Sequence, residues 1–109
     1  DRKIWYAWDV DPKFLNSNGS LFGGYISALM DDAVGHAGCT SVPDGYVTVT
    51  ADLRVSFFRP ISPVDGPISV EAEIVNQSRR QMFAEAHMLT EKRKLIAKAT
   101  GILAIVPKA

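Results

Sequence analysis

Residues 16–39 read NSNGSLFGGYISALMDDAVGHAGC, and a change of pattern inside this stretch decides the architecture. Asn16-Ser17-Asn18-Gly19-Ser20 is a polar run of turn-forming residues. From Gly23 onward, Ile26, Leu29, Met30, Ala33, Val34 and Ala37 recur every three or four residues. That spacing predicts a long helix with one apolar stripe, and Gly35 and Gly38 predict a weak or terminating C-terminal end. Pro43-Asp44-Gly45 then predicts a turn.

The flanking sequence reads as strand. Residues 4–10 form a candidate opening strand. In residues 46–58, Val47, Val49, Ala51, Leu53, Val55 and Phe57 alternate with Thr48, Thr50, Asp52, Arg54 and Ser56, predicting two opposed faces. Arg59-Pro60 and the Pro63-to-Pro67 stretch end that strand. Segments 68–76, 81–90 and 95–106 supply three more, the last two forming a hairpin around Glu91-Lys92-Arg93-Lys94. One strand, one long helix and four antiparallel strands define an α+β domain, with a curved sheet packed on the helix. Phe83 and Leu89 stand opposite Met82, Ala84, Ala86 and Met88 on their strand, so apolar groups fall on both faces of the sheet. A single helix cannot cover both faces, which predicts a second copy of the chain as a further packing surface.

Composition limits the function. The 109 residues are 47% hydrophobic and 22% charged, with 12 basic and 12 acidic side chains. These values describe one globular domain with no net field to attract nucleic acid or an anionic membrane. No apolar run approaches the ~20 residues that span a bilayer. Cys39 is the one cysteine; a lone thiol suits a reducing compartment, so the expected location is the cytoplasm, and burial as a small hydrophobe is its expected role. The N-terminus has no signal-peptide core, although the first residue is not Met and a trimmed leader stays open.

Asp31 is the residue of chemical interest. At 100° per residue, Gly24, Ser27, Gly35 and Gly38 lie within about 40° of it around the helix axis. An acid therefore stands on a flank without bulk, and each interior glycine costs ~1 kcal/mol relative to alanine. Either a packed backbone or a substrate uses that space, unless Asp31-Asp32 is simply a solvated face. Gly23-Gly24 at the helix start leaves unpaired N–H groups at its positive end, where a carbonyl oxygen or oxyanion can be held.

The segment from Asn16 to Asp31 resembles the signature of the hotdog-fold acyl-CoA thioesterases of the phenylacetate-pathway type. That signature is Asn, a short Gly-containing loop, His-Gly-Gly, then Asp further along the helix; here the residues are Asn16, Gly19, Phe22-Gly23-Gly24 and Asp31. Thr50-Ala51-Asp52-Leu53 with Phe57-Phe58-Arg59-Pro60 is similar to the family's first long strand. Lys94-Leu95-Ile96-Ala97 with Thr100-Gly101 is similar to its closing strand. The likeness covers roughly nine-tenths of the chain, without the N-terminal helix many members carry. It implies a single hotdog domain over residues 1–109.

The resemblance also implies roles. Asp31 would be the general base, or orient water, in hydrolysis of an acyl-CoA thioester. Asn16 and the Gly23 amide would bind the thioester carbonyl, and Thr50 would help hold the water. Phe22, Gly24, Ser27 and Phe58 would line the substrate site, and Arg79 and Arg80 are candidates for the coenzyme A phosphates, with solvated turn charges as the alternative. The site would lie across a homodimer interface, with a tetramer as a dimer of dimers also open. No metal or bound cofactor is implied. Phe22 replaces the signature histidine, which predicts altered specificity, and Thr50 falls on the polar side of its strand.

Other residues carry weaker readings. His36 stands four residues after Asp32 and within its hydrogen-bonding reach. His87 has no partner at zinc-ligand spacing. Trp5, Tyr6 and Trp8 read as anchors of the first strand, while Phe14 and Tyr25 are further candidates for an acyl pocket. The alternative functions are a non-catalytic acyl-CoA sensor and a hotdog dehydratase, the latter disfavoured by Phe22.

Overall fold

A computed structural model describes residues 3–8, 13, 15–17, 19 and 23–109; within the first strand, the Trp5 and Ala7 side chains are described. The elements are β1 (Lys3–Trp8), α1 (Gly23–Cys39), β2 (Tyr46–Phe57), β3 (Ile68–Gln77), β4 (Gln81–Thr90) and β5 (Leu95–Pro107), with a short 3-10 turn at Pro63–Asp65 before β3. The strands form one antiparallel sheet in the order β1-β3-β4-β5-β2. α1 lies on one face of it, which is the hotdog arrangement expected from the sequence.

The helix follows its apolar period. Ile26, Met30, Ala33, Val34 and Ala37 are buried and Leu29 is half-buried. They meet Val70, Ala72 and Ile74 of β3, Met82, Ala84, Ala86 and Met88 of β4, and Ala99 and Leu103 of β5 in one cluster. Each fully buried Met, Leu, Ile or Val contributes ~1.5–3 kcal/mol of apolar transfer. Gly35 lies within the helix, which ends at Cys39, one residue beyond Gly38. Gly38 explains itself: a Cβ there would stand 2.7 Å from Leu103 Cδ1 and 3.2 Å from Thr48 Oγ1. Its hydrogen lets α1 settle onto β2 and β5. Gly35 faces open space.

The predicted alternation of β2 is corrected. Thr50 pairs with Leu103 and Asp52 with Ile102, so Ala51 is an extra residue opposite no partner. Such a bulge reverses the alternation beyond it. Thr48 and Thr50 therefore share the helix side with Leu53, Val55 and Phe57, whereas Val47 and Val49 move to the outer face with Asp52, Arg54 and Ser56. The six apolar residues do not form one stripe. A similar shift occurs between Ile74 and Asn76 of β3, where Val75 is displaced outward and 44% exposed.

Three smaller differences follow from local position. β1 begins at Lys3 and its described span ends at Trp8, with Asp9 and Val10 outside the described residues. Cys39 is exposed, because it occupies the last turn of α1 on the side away from the sheet. Trp5 is 62% exposed and pairs across to Glu71 on the outer face, so it does not anchor its strand in the core.

The outer face does carry apolar groups, as expected: Val47, Val49 and Phe83 are each more than one-third exposed, whereas Leu89 is buried. The 91–94 turn closes the β4–β5 hairpin through Arg93 N–H to the Thr90 carbonyl. Arg93 takes a positive φ of 66° and pairs with Glu71. The hydrogen bond that Arg93 donates to Glu71, and then the Glu71 charge, raise the Arg93 pKa above its ordinary value. No helix among the described residues is long and apolar enough to cross a membrane.

Candidate active site

The bulge at Ala51 supplies the main feature of the site. By turning Thr50 toward α1, it brings the Thr50 hydroxyl to Asp31, where Oγ1 donates to Oδ1 at 2.8 Å. Asp31 is half-buried on the helix and Thr50 is exposed at the strand surface. One carboxylate oxygen is thus fixed by a hydroxyl on a neighbouring element, leaving Oδ2 to accept a hydrogen from water or substrate. The sequence placed Thr50 on the wrong side of its strand; the extra residue removes that conflict.

The other half of the predicted site lies at the opposite end of β2. Gly23 opens α1 with its face against the Phe57 ring: a Cβ at Gly23 would be 3.3 Å from Phe57 Cζ. The first N–H groups of a helix have no partner within it, so the amides at Gly23 and Gly24 are candidate donors to an oxygen. Gly23, Ile26, Phe57, Phe58, Arg59 and Pro60 line an open cleft of about 350 Å³. Phe58 is 57% exposed there. Eight residues of helix at 1.5 Å each separate Gly23 from Asp31 by ~12 Å, too far to act on one carbonyl within a single chain.

The remaining predicted residues fall as follows. Asn16 is exposed in the loop before α1, where the Gly19 N–H donates to the Asn16 carbonyl at 3.0 Å. Gly19 has a φ of +80°, a conformation that favours glycine. Phe22 and Phe14 lie outside the described residues. Gly24 is exposed, and Ser27 is half-buried one turn before Asp31. Tyr25 is half-buried and packs against the core.

Arg79 and Arg80 are exposed at the β3–β4 turn and border a larger groove of about 810 Å³ with Pro43, Tyr46 and Gln77. Tyr46 was not singled out from sequence. It opens the same strand that carries Thr50, four residues away, which is ~13 Å along a strand. His36 Nδ1 lies 3.5 Å from Asp32 Oδ2, both exposed, in the expected helical pairing. Among the described residues no three His, Cys, Asp or Glu side chains gather as they would around a metal ion.

Fold and geometry define a hotdog domain with a hydroxyl-supported carboxylate on its helix. Residues 18–97 match the model of the thioesterase superfamily, and the chain belongs to that family. A protein of Saccharolobus solfataricus, given a provisional esterase role by its name, is 30% identical over 89 residues, 82% of this chain. The match spans only 61% of that relative's length. Among solved structures, a Ralstonia eutropha protein described as a provisional thioesterase related to phenylacetic acid degradation superposes with a TM-score of 0.86 at 24% identity. That match covers 94% of this chain and 76% of the other. A Streptococcus mutans protein bound to acetyl-CoA gives 0.87 at 21% identity, covering 97% and 82%. At these identities the two superpositions establish the fold.

Proposed function

We propose that this protein hydrolyses the thioester of an acyl-CoA by water attack assisted by Asp31. The observation that carries the reading is the Thr50–Asp31 hydrogen bond. It fixes one carboxylate oxygen so that the other can take a proton from an attacking water. A solvated helix acid needs no such partner from another element. Thr50 holds the base, while Asn16 and the Gly23 amide hold the carbonyl oxygen as negative charge develops on it. Family membership and the acetyl-CoA held by the Streptococcus mutans relative support a CoA ester as substrate.

The two halves meet if the protein is a homodimer. β2 is an edge strand of 12 residues, hydrogen-bonded to β5 alone among the described strands, and an open edge invites pairing. A two-fold axis passing near Leu53 and Arg54 would pair β2 antiparallel with its copy, Thr50 beside the partner's Phe57. Such an axis exchanges the ends of the strand, bringing the partner's Phe57 and Gly23 toward Thr50 and Asp31. Asp31 of one protomer then faces the carbonyl-binding amides of the other. The groove beside Tyr46, Arg79 and Arg80 would receive the phosphates of coenzyme A, for which forked guanidinium donors are suited. The dimer can associate further into a tetramer.

The test is thiol release from a panel of short, medium, long and phenylacyl CoA esters, with wild type beside Asp31→Asn. The expected result is hydrolysis by wild type and a loss of ~10²-fold or more in turnover for the variant, the scale of removing a general base, with its melting temperature kept. Ligand binding without thiol release would instead identify an acyl-CoA sensor.

A further inference from the structure

The cleft beside Gly23 contains a group that hydrolysis alone does not call for. Of its six described lining residues, five are apolar or glycine and the sixth is Arg59. Phe57 and Phe58 present exposed rings to it. The Arg59 side chain has no hydrogen bond or ion pair among the described residues, and its guanidinium is therefore available. Its backbone is held: the Phe58 and Arg59 N–H groups both donate to the Ile96 carbonyl, at 2.8 and 3.4 Å, and Pro60 follows. The cation thus projects from a fixed segment.

Arg59 also borders a second cavity of about 320 Å³ with Asp65, Glu91, Lys92 and Lys94. Asp65 is already engaged, its Oδ2 accepting from the Ser62 N–H at 2.9 Å. Lys92 and Lys94 add positive charge behind Arg59, opposed by the carboxylates of Asp65 and Glu91. An apolar cleft that ends in an available guanidinium suits a ligand with an apolar body and an anionic tip. At about 350 Å³ the cleft falls within the range of ligand pockets, ~300–1,000 Å³.

We propose that this cleft receives the acyl portion of the substrate and selects acyl groups ending in a carboxylate, with Arg59 as the specificity-determining residue. The inference rests on the thioester-hydrolase reading and adds the class of acyl group. The same guanidinium could be met by a phosphate of coenzyme A, so the experiment separates the two anions. Butyryl and succinyl thioesters, equal in carbon number and different in terminal charge, are compared on coenzyme A and on the phosphate-free carrier N-acetylcysteamine, with wild type and Arg59→Met.

The expected result is a higher kcat/KM for succinyl than for butyryl on both carriers. In Arg59→Met that succinyl-to-butyryl ratio falls tenfold or more on both, and Arg59→Lys recovers part of it. A ratio unchanged by the substitution overturns the proposal. So does a variant weakened equally for both acyl groups on coenzyme A alone, which would give Arg59 to a phosphate. If wild type hydrolyses none of the four esters, calorimetry with non-hydrolysable butyryl and succinyl thioether analogues of coenzyme A decides separately. Tighter succinyl binding that Arg59→Met abolishes keeps the anion-reading cleft while the hydrolase reading falls; equal affinities remove both.

Discussion

Asp31 and Thr50 come from different elements, and the hydroxyl of one restricts the carboxylate of the other. Thr50 therefore acts through Asp31 in the proposed reaction as a positioning residue. Thr50→Val removes the donor at nearly constant volume, and the expected effect is a fall of about tenfold or more in kcat with little change in KM, since a misplaced base is felt mainly in the transition state. Thr50→Ser keeps the hydroxyl and should recover most of the loss. Steady-state kinetics on one acyl-CoA checks both; equal losses in Val and Ser variants would assign Thr50 a packing role instead. Gly23 is similarly constrained, because any Cβ there meets the Phe57 ring.

The helix and the bulged strand are the elements that place these residues. Gly38 lets α1 approach Thr48 and Leu103, with no room for a larger side chain. Gly38→Val forces overpacking against β2 and β5, and the expected cost is ~1–3 kcal/mol. It would be read as a lower urea midpoint at unchanged slope. A variant as stable as wild type would mean that α1 does not sit this close to the sheet.

Much of this level was readable in the sequence. The apolar period of α1, the Pro-Asp-Gly turn, the β4–β5 hairpin and the order of strands all follow from local pattern, because burial imposes its period on the side chains. The bulge was not readable. Ala51 is small enough for either face, so inserting it leaves an apolar-polar alternation apparently intact while the pairing slips. The one available signal was the conflict it created, a site residue assigned to the wrong face. Cys39 differs from expectation for a related reason: composition says that cysteines are often buried, but its position in the last turn of α1 decides its exposure. Tyr46 carried no signal at all, because its groove forms only when the β3–β4 turn is brought beside the start of β2.

At the scale of the whole molecule, the sheet has a covered face, an outer face with exposed Val47, Val49 and Phe83, and an edge at β2 that pairs with no second strand among the described residues. Exposed apolar surface and an unpaired edge both favour association. The expected species in sedimentation is a dimer or a larger even-numbered assembly; a monomer at micromolar concentration would contradict it. The apparent stability should accordingly rise with protein concentration, as mass action requires.

Complementation between two inactive variants tests the shared site most directly. Asp31→Asn and Asn16→Ala damage opposite halves of it, and each alone should lose most acyl-CoA hydrolysis. After equal amounts are mixed, partly unfolded and refolded together, two-fold symmetry makes half the dimers mixed, each with one site carrying both native residues. Recovery of roughly a quarter of wild-type activity is the predicted result. Activity that stays at the sum of the two separate variants would place Asp31 and Asn16 in the same protomer's site, or outside the chemistry altogether, and would contradict the account.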